Sequence, residues 1–201
     1  MDAKEYYCHP HSLVETPHIG IGTRVWAFVH VLPGAVLGAG CNVCDHCYIE
    51  SQVVIGDNVT LKCGVYLWDG ITLENNVFVG PNVVFTNDLL PRSGNKDYVL
   101  RPTLVKTGAS LGANSTILAG ITIGQYALTG IGSVVTRDVP AHALVYGNPA
   151  RQHGWVGEQG EGLEATEGKP GGWHSVVTGQ YYRETPHGLE ILHQPKMRPS
   201  I

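Results

Sequence analysis

Ile49-Glu50-Ser51-Gln52-Val53-Val54-Ile55-Gly56-Asp57-Asn58-Val59-Thr60-Leu61-Lys62-Cys63-Gly64-Val65-Tyr66-Leu67 is the stretch that decides the fold. An apolar residue stands at every sixth position (Ile49, Ile55, Leu61, Leu67), and Val53, Val59 and Val65 each fall four places after one. Working backwards, the same step meets Val43, Leu37, Val31, Val25 and Ile19; working forwards, it meets Leu73, Val79 and Phe85. The register then breaks and resumes through Val105, Leu111, Ile117, Ile123, Thr129 and Val135, and of these eighteen key positions only Thr129 is polar. The slot four residues on stays small or β-branched, as at Thr23, Ala35, Cys41, Cys47, Ala109, Ser115, Ala127 and Ser133.

A helix cannot use a period of six, and an isolated strand would show a period of two. Short β segments joined by glycine-tolerant bends suit a chain that winds around a triangular prism, three hexads to a coil. Coils would then stack about 4.8 Å apart, with Gly20, Gly38 and Gly56 on one corner. A β-sandwich spaces its strands at about 8–12 residues and does not fit the count. The expectation is an all-β, parallel β-helix of hexapeptide repeats with about six coils, one protruding loop and a short C-terminal tail.

Between Phe85 and Val105 the stretch 86–102 is polar, turn-rich and aperiodic, and reads as a loop leaving a prism corner. Long loops in repeat folds tend to carry function. The period leaves open whether this one is inserted or replaces hexads. After Pro140 the repeat ends, and Gly147-Asn148-Pro149-Ala150-Arg151 closes the region. The organisation expected is a lead-in over 1–18, the β-helix over 19–156 and a tail over 157–201.

The rest of the composition narrows the function. Thirteen basic and 17 acidic residues leave a net charge of −4, which offers no electrostatic footprint for nucleic acid. No apolar run approaches the ~20 residues of a membrane helix, and Met1 to Tyr7 is polar, unlike a secretion signal. Five cysteines is an odd count, unlike a disulfide framework. A soluble cytoplasmic protein is expected.

From Ile19 to Arg151 the repeat resembles the hexapeptide-repeat family of parallel β-helices, most of whose members are acyltransferases; the left hand of the coil is what that resemblance implies. Within the family, Val79-Gly80-Pro81-Asn82-Val83-Val84-Phe85-Thr86-Asn87-Asp88 with Pro91-Arg92-Ser93 is similar to the signature of nucleotide-linked 3-amino-sugar N-acetyltransferases. Leu67-Trp68-Asp69-Gly70 and Val25-Trp26-Ala27-Phe28-Val29-His30 match it too, with Ala27 and Trp68 as departures. The resemblance implies an acetyl-CoA-dependent transfer to the amine of a dTDP- or UDP-linked 3-amino-deoxy sugar. It also implies a homotrimer with sites between subunits, in which Asn87 holds the acceptor amine.

Two readings of the residues support an amine acceptor. A hydroxyl nucleophile calls for a positioned base, normally histidine; in sugar O-acetyltransferases of this fold that histidine lies in the corresponding loop, and 86–102 contains none. An amine brings its own lone pair and needs orientation more than a strong base. Asp69, one coil before Asn87, would stack beside it and accept a hydrogen bond from the amino group. Trp68, Asp88, Arg92 and His30 are the further acceptor-binding candidates, Arg92 because a guanidinium grips phosphate or carboxylate oxygens bidentately. For the donor, the resemblance implies Ala113, Ile131, Thr136, Arg137 and Arg151, with Ile131 larger than expected; both arginines suit coenzyme A phosphates.

The cysteine cluster is read as packing. Cys41 and Cys47 occupy the inward slot while Cys44 points elsewhere, so the three cannot close a tetrahedral site, and no metal is expected. A zinc lyase built on the ten histidines lacks ligand spacing on neighbouring turns. An acyltransferase for another small acceptor and a non-enzymatic assembly scaffold remain as alternatives.

Overall fold

The computed structural model describes residues 5–192 apart from 96, so the last nine residues of the expected tail lie outside the described residues. Each hexad yields a strand of two or three residues whose key side chain points inward, and the strands stack into three parallel sheets, the faces of a prism. Face 1 stacks Tyr7–Cys8, Arg24–Val25, Asn42–Val43, Thr60–Leu61, Phe78–Val79, Ser110–Leu111, Leu128–Thr129 and finally Ala143–Gly147. Face 2 runs from Leu13–Val14 through His30–Val31, Tyr48–Ile49, Tyr66–Leu67, Val84–Phe85 and Thr116–Ile117 to Val134–Val135. Face 3 carries Val36–Leu37, Val54–Ile55, Ile71–Leu73, Thr103–Val105 and Thr122–Ile123, extended by single bridges from Ile19 and to Val139.

Inside, valine, isoleucine and leucine from neighbouring coils touch along the axis and are withdrawn from water; each such side chain contributes about 1.5–3 kcal/mol. Thr129 keeps its place there because its hydroxyl accepts the Gly112 N–H at 3.1 Å. Thr23 does likewise, donating to the Gly38 carbonyl at 2.7 Å and accepting from the Cys41 N–H at 3.0 Å. The glycine corner stacks as expected: a Cβ on Gly38 would strike the Asp57 carboxylate and the Gly56 backbone.

One feature corrects the expected count, and another settles what the period left open. Among the described residues the prism has seven full coils rather than about six, because a first coil over residues 7–19 occupies most of the expected lead-in. There Cys8 pairs with Val25 and Val14 with Val31, seventeen residues apart instead of eighteen, so one missing residue before Ile19 conceals the coil from a six-residue step. The loop is a pure insertion: Ile71–Leu73 pairs directly with Thr103–Val105, and no hexad is lost. The insertion leaves at the corner between faces 2 and 3.

At the far end, Ala143–Gly147 turns back antiparallel into Ala150–Trp155. The tail forms a four-stranded antiparallel sheet, Glu164–Ala165, Gly172–His174, Tyr181–Thr185 and Gly188–Leu192. It closes the open end of the prism. The Ala141 N–H donates to the His187 carbonyl at 3.0 Å, the Leu189 N–H donates to the Ala141 carbonyl at 3.1 Å, and Tyr182 is buried against His142. Among the described residues no helix is long and apolar enough to cross a membrane.

Candidate active site

Coils 3, 4 and 5 turn the corner between faces 2 and 3 with polar residues (Glu50-Ser51-Gln52, Trp68-Asp69 and Thr86-Asn87), and successive corners are tied to one another. The Asp69 N–H donates to Glu50 Oε2 at 2.7 Å, and the Gln52 N–H donates to Asp69 Oδ1 at 2.7 Å. Trp68 Nε1–H donates to the Phe85 carbonyl at 2.9 Å, and the Ala119 N–H to Thr86 Oγ1 at 2.9 Å. These bonds fix Asp69 on coil 4 and Asn87 on coil 5, one strand spacing (about 4.8 Å) apart along the axis. One Asp69 carboxylate oxygen is thereby a turn cap, and the other has no hydrogen-bond partner among the described residues. The half-buried Asn87 uses its backbone carbonyl to accept the Arg101 N–H at 3.3 Å, and its side-chain amide has no hydrogen-bond partner among the described residues.

The insertion folds back over this corner. Leu100 packs on Gly70, where a Cβ would come within 3.1–3.2 Å of its side-chain carbons, and the Arg101 side chain lies on Gly120. Tyr98 is brought within electrostatic reach of Asp88, Asp69 and Glu50; partial burial, then those three charges, raise its phenol above the ordinary value and keep the proton on it. Asp88 Oδ1 accepts the Leu90 N–H at 2.8 Å, whereas Arg92 is exposed and donates to the neighbouring Pro91 carbonyl at 2.7 Å. Glu50 and Tyr98 are site residues that the sequence reading missed. Glu50 carries a signal in retrospect, since it stands eighteen residues before Trp68 on the same corner.

Next to the corner, face 2 is aromatic on its outside. His30, Tyr48 and Tyr66 point outward from successive coils, with ring centroids 5.5 and 6.3 Å apart, and Trp68 lies 5.8 Å from Tyr48. Phe28, His30, His46, Cys47, Tyr48, Tyr66 and Trp68 line a shallow depression of about 410 Å³. His30 therefore joins the site as part of this surface, held by Glu15 at 2.8 Å. It stands three coils, about 14 Å along the axis, from Asn87, too far to serve as its base within one protomer.

The five donor candidates divide into two groups. Thr136, Arg137 and Arg151 share a depression of about 180 Å³ at the end of the same corner. It meets a larger cleft of about 580 Å³ beneath the tail at the shared Asp138, Val139 and Pro140. Ala113 and Ile131 stack, with the Gly132 N–H donating to the Ala113 carbonyl at 2.8 Å, but on the corner between faces 1 and 2. Face 2 separates the groups, so one protomer does not gather all five in one groove. The cysteines take the positions expected of them: Cys41 and Cys47 are buried inside, and burial pushes the Cys47 thiol up to about 12, which keeps it a protonated packing residue.

A hexapeptide-repeat prism with an inserted loop over a polar corner defines a class, the hexapeptide transferases, and the sequence pattern described as bacterial transferase hexapeptide (six repeats) matches residues 52–87. The chain is 60% identical over 150 residues to dTDP-3-amino-3,6-dideoxy-alpha-D-galactopyranose 3-N-acetyltransferase of Aneurinibacillus thermoaerophilus, covering 75% of this chain and 78% of that one. It is 31% identical over 166 residues to serine acetyltransferase 4 of Arabidopsis thaliana, covering 81% of this chain but 40% of that protein. Among solved structures, a hexapeptide-repeat acetyltransferase from Vibrio cholerae in complex with acetyl coenzyme A superposes with a TM-score of 0.51 at 28% identity, over 67% of this chain and 68% of the other. The chain belongs to the left-handed hexapeptide-repeat acetyltransferases, and among them to the N-acetyltransferases of nucleotide-linked 3-amino sugars.

Proposed function

We propose that the protein transfers the acetyl group of acetyl-CoA to the 3-amino group of a dTDP-linked 3-amino-3,6-dideoxyhexose. The observation that carries this reading is the corner where the open Asn87 amide stands one coil from Asp69, beneath a loop without histidine. The Asn87 carbonyl oxygen and the free Asp69 oxygen hold the N–H groups of the amine and aim its lone pair at the thioester carbon. A C–N bond forms, the C–S bond breaks, and the departing thiolate takes the amine proton. Acetyl-CoA lies along the corner towards Thr136, Arg137 and Arg151, which hold its phosphates. Trp68, His30 and the rings beside them take the nucleotide, and from the loop Arg92 contacts the diphosphate and Asp88 accepts from a sugar hydroxyl.

The active form is a homotrimer. A convex prism offers walls more readily than an enclosed pocket, and the separation of Ala113 and Ile131 from the arginines fits a groove whose two sides come from adjacent copies. The setting is cytoplasmic, where acetyl-CoA is at hand and the five free thiols stay reduced. Assaying purified protein with acetyl-CoA against a panel of dTDP- and UDP-linked 3-amino and 4-amino sugars tests the reading. A mono-acetylated product from the dTDP-3-amino sugar is expected; thiol release with none of the panel would count against it.

A further inference from the structure

The corner between faces 1 and 2 holds one residue per coil in the left-handed backbone region. From coil 2 onwards these are Phe28 (φ 58°), His46 (61°), Gly64 (73°), Asn82 (55°), Asn114 (57°) and Gly132 (66°). Glycine and asparagine occupy that region readily and histidine more often than most residues, whereas a bulky ring such as that of Phe28 there is an outlier, maintained against a conformational cost. Phe28 and His46 are stacked on each other, with centroids 5.0 Å apart and planes 13° from parallel, and His11 meets the Phe28 edge at 5.8 Å.

The fold uses the same device once more, on the corner between faces 3 and 1. There Tyr126 (φ 53°) and His142 (φ 62°) are left-handed and lie 5.2 Å apart. In that case the purpose is visible, because Tyr182 of the tail covers His142 at 5.2 Å and both are buried, with Tyr126 half-buried beside them. The Phe28–His46 pair has no such cover among the described residues. Phe28 is 58% exposed, and the next position in the column is Gly64, which places no ring beyond His46. Both rings line the aromatic depression with His30, Tyr48, Tyr66 and Trp68, and Trp68 adjoins Asp69 at the acceptor corner.

We infer that Phe28 and His46 form the stacking platform for the nucleobase of the acceptor, at the opposite end of the aromatic face from Asn87. This rests on the proposed nucleotide-sugar function and names the part of the site that recognises the nucleotide. Three observations favour a base over other occupants. The two rings are stacked nearly parallel, which suits the addition of another flat π system to the stack. The depression runs from them to Trp68, beside the acceptor corner, and its lining contains no carboxylate, lysine or arginine. The offset from coil 3 to coil 5 is about 10 Å along the axis, within the length of a nucleoside diphosphate hexose.

The test replaces each ring by the residue that the same column already uses at 82 and 114. Phe28→Asn, His46→Asn and the double variant are measured for dTDP binding by calorimetry, for steady-state kinetics, for thermal midpoint and for sedimentation. The double variant is expected to raise the Kd of dTDP and the KM of the nucleotide sugar about tenfold, with the KM of acetyl-CoA unmoved. Its thermal midpoint should be no lower than that of the wild type, since the strained backbone is relieved; a purely structural pair would lower it. Unchanged dTDP affinity, a wild type that binds neither dTDP nor UDP, or a changed sedimentation coefficient (which would make the face a contact between copies) overturns the inference. A wild type that binds dTDP through these rings but acetylates no nucleotide sugar would instead sink the proposed reaction and leave the platform standing.

Discussion

The coils before the insertion and the coils after it share one interior and differ outside. Leu67 on coil 4 and Ile117 on coil 6 fill the same column of face 2 and are both fully buried. The outward neighbours diverge: His30, Tyr48 and Tyr66 on coils 2 to 4, then Val84, Thr116 and Val134 on coils 5 to 7. The corners diverge as well: Glu50, Asp69 and Asp88 are acidic, whereas the last corner brings Arg137 and, across a depression, Arg151 together beside Asp138. Inward positions are held by packing and outward ones are free to vary, so the same scaffold can carry two different surfaces, which the proposed function assigns to the acceptor and the donor. The insertion stands where they meet.

Core substitutions should not distinguish the halves. Leu67→Ala and Ile117→Ala should each cost about 2–5 kcal/mol in urea unfolding, whereas Tyr66→Ala and Thr116→Ala, on the outside, should change stability little. A large difference between Leu67→Ala and Ile117→Ala would break the idea of a common interior. Ligand measurements should separate the halves. Arg137→Ala and Arg151→Ala should each weaken acetyl-CoA binding about tenfold or more while leaving the KM of the nucleotide sugar unchanged. An equal loss for both substrates would erase the division.

The smallest effect concerns the junction of prism and tail. Burial lowers the His142 pKa below its ordinary 6.5, partly offset by the Val156 carbonyl and by Glu158 and Glu161. The unfolded chain therefore binds this proton before the folded one does, and stability is lost as pH falls from about 6.5 through the folded value. His142→Asn, which suits the left-handed backbone, should flatten the slope of thermal midpoint against pH below 6.5, with little change above it.

The interior was legible in the sequence because a prism admits one spacing of inward residues, and Ile19 to Val135 keeps to it around one gap. Coil 1 was not, since a single missing residue before Ile19 shifts the step. The gap of twenty residues between Phe85 and Val105 could be resolved only by knowing that Ile71–Leu73 pairs with Thr103–Val105. In the site, Asn87 and Asp69 could be placed together because both keep hexad phase. Tyr98 could not, because nothing periodic governs where an inserted loop returns. The division of Ala113 and Ile131 from Arg137 was available in principle: the first two follow key residues of face 1, the third a key residue of face 2.

The central claim is that the acceptor amine is oriented by Asn87 and Asp69 and needs no imidazole base. It is tested most directly by kcat/KM for matched dTDP sugars carrying an amino or a hydroxyl group at C3, on the wild type and on Asn87→Ala. The account predicts efficient acetylation of the amine, hydroxyl transfer slower by about a thousandfold or more, and a loss of about a hundredfold in Asn87→Ala. Comparable rates for the hydroxyl sugar, or an Asn87→Ala enzyme as active as the wild type, would contradict it.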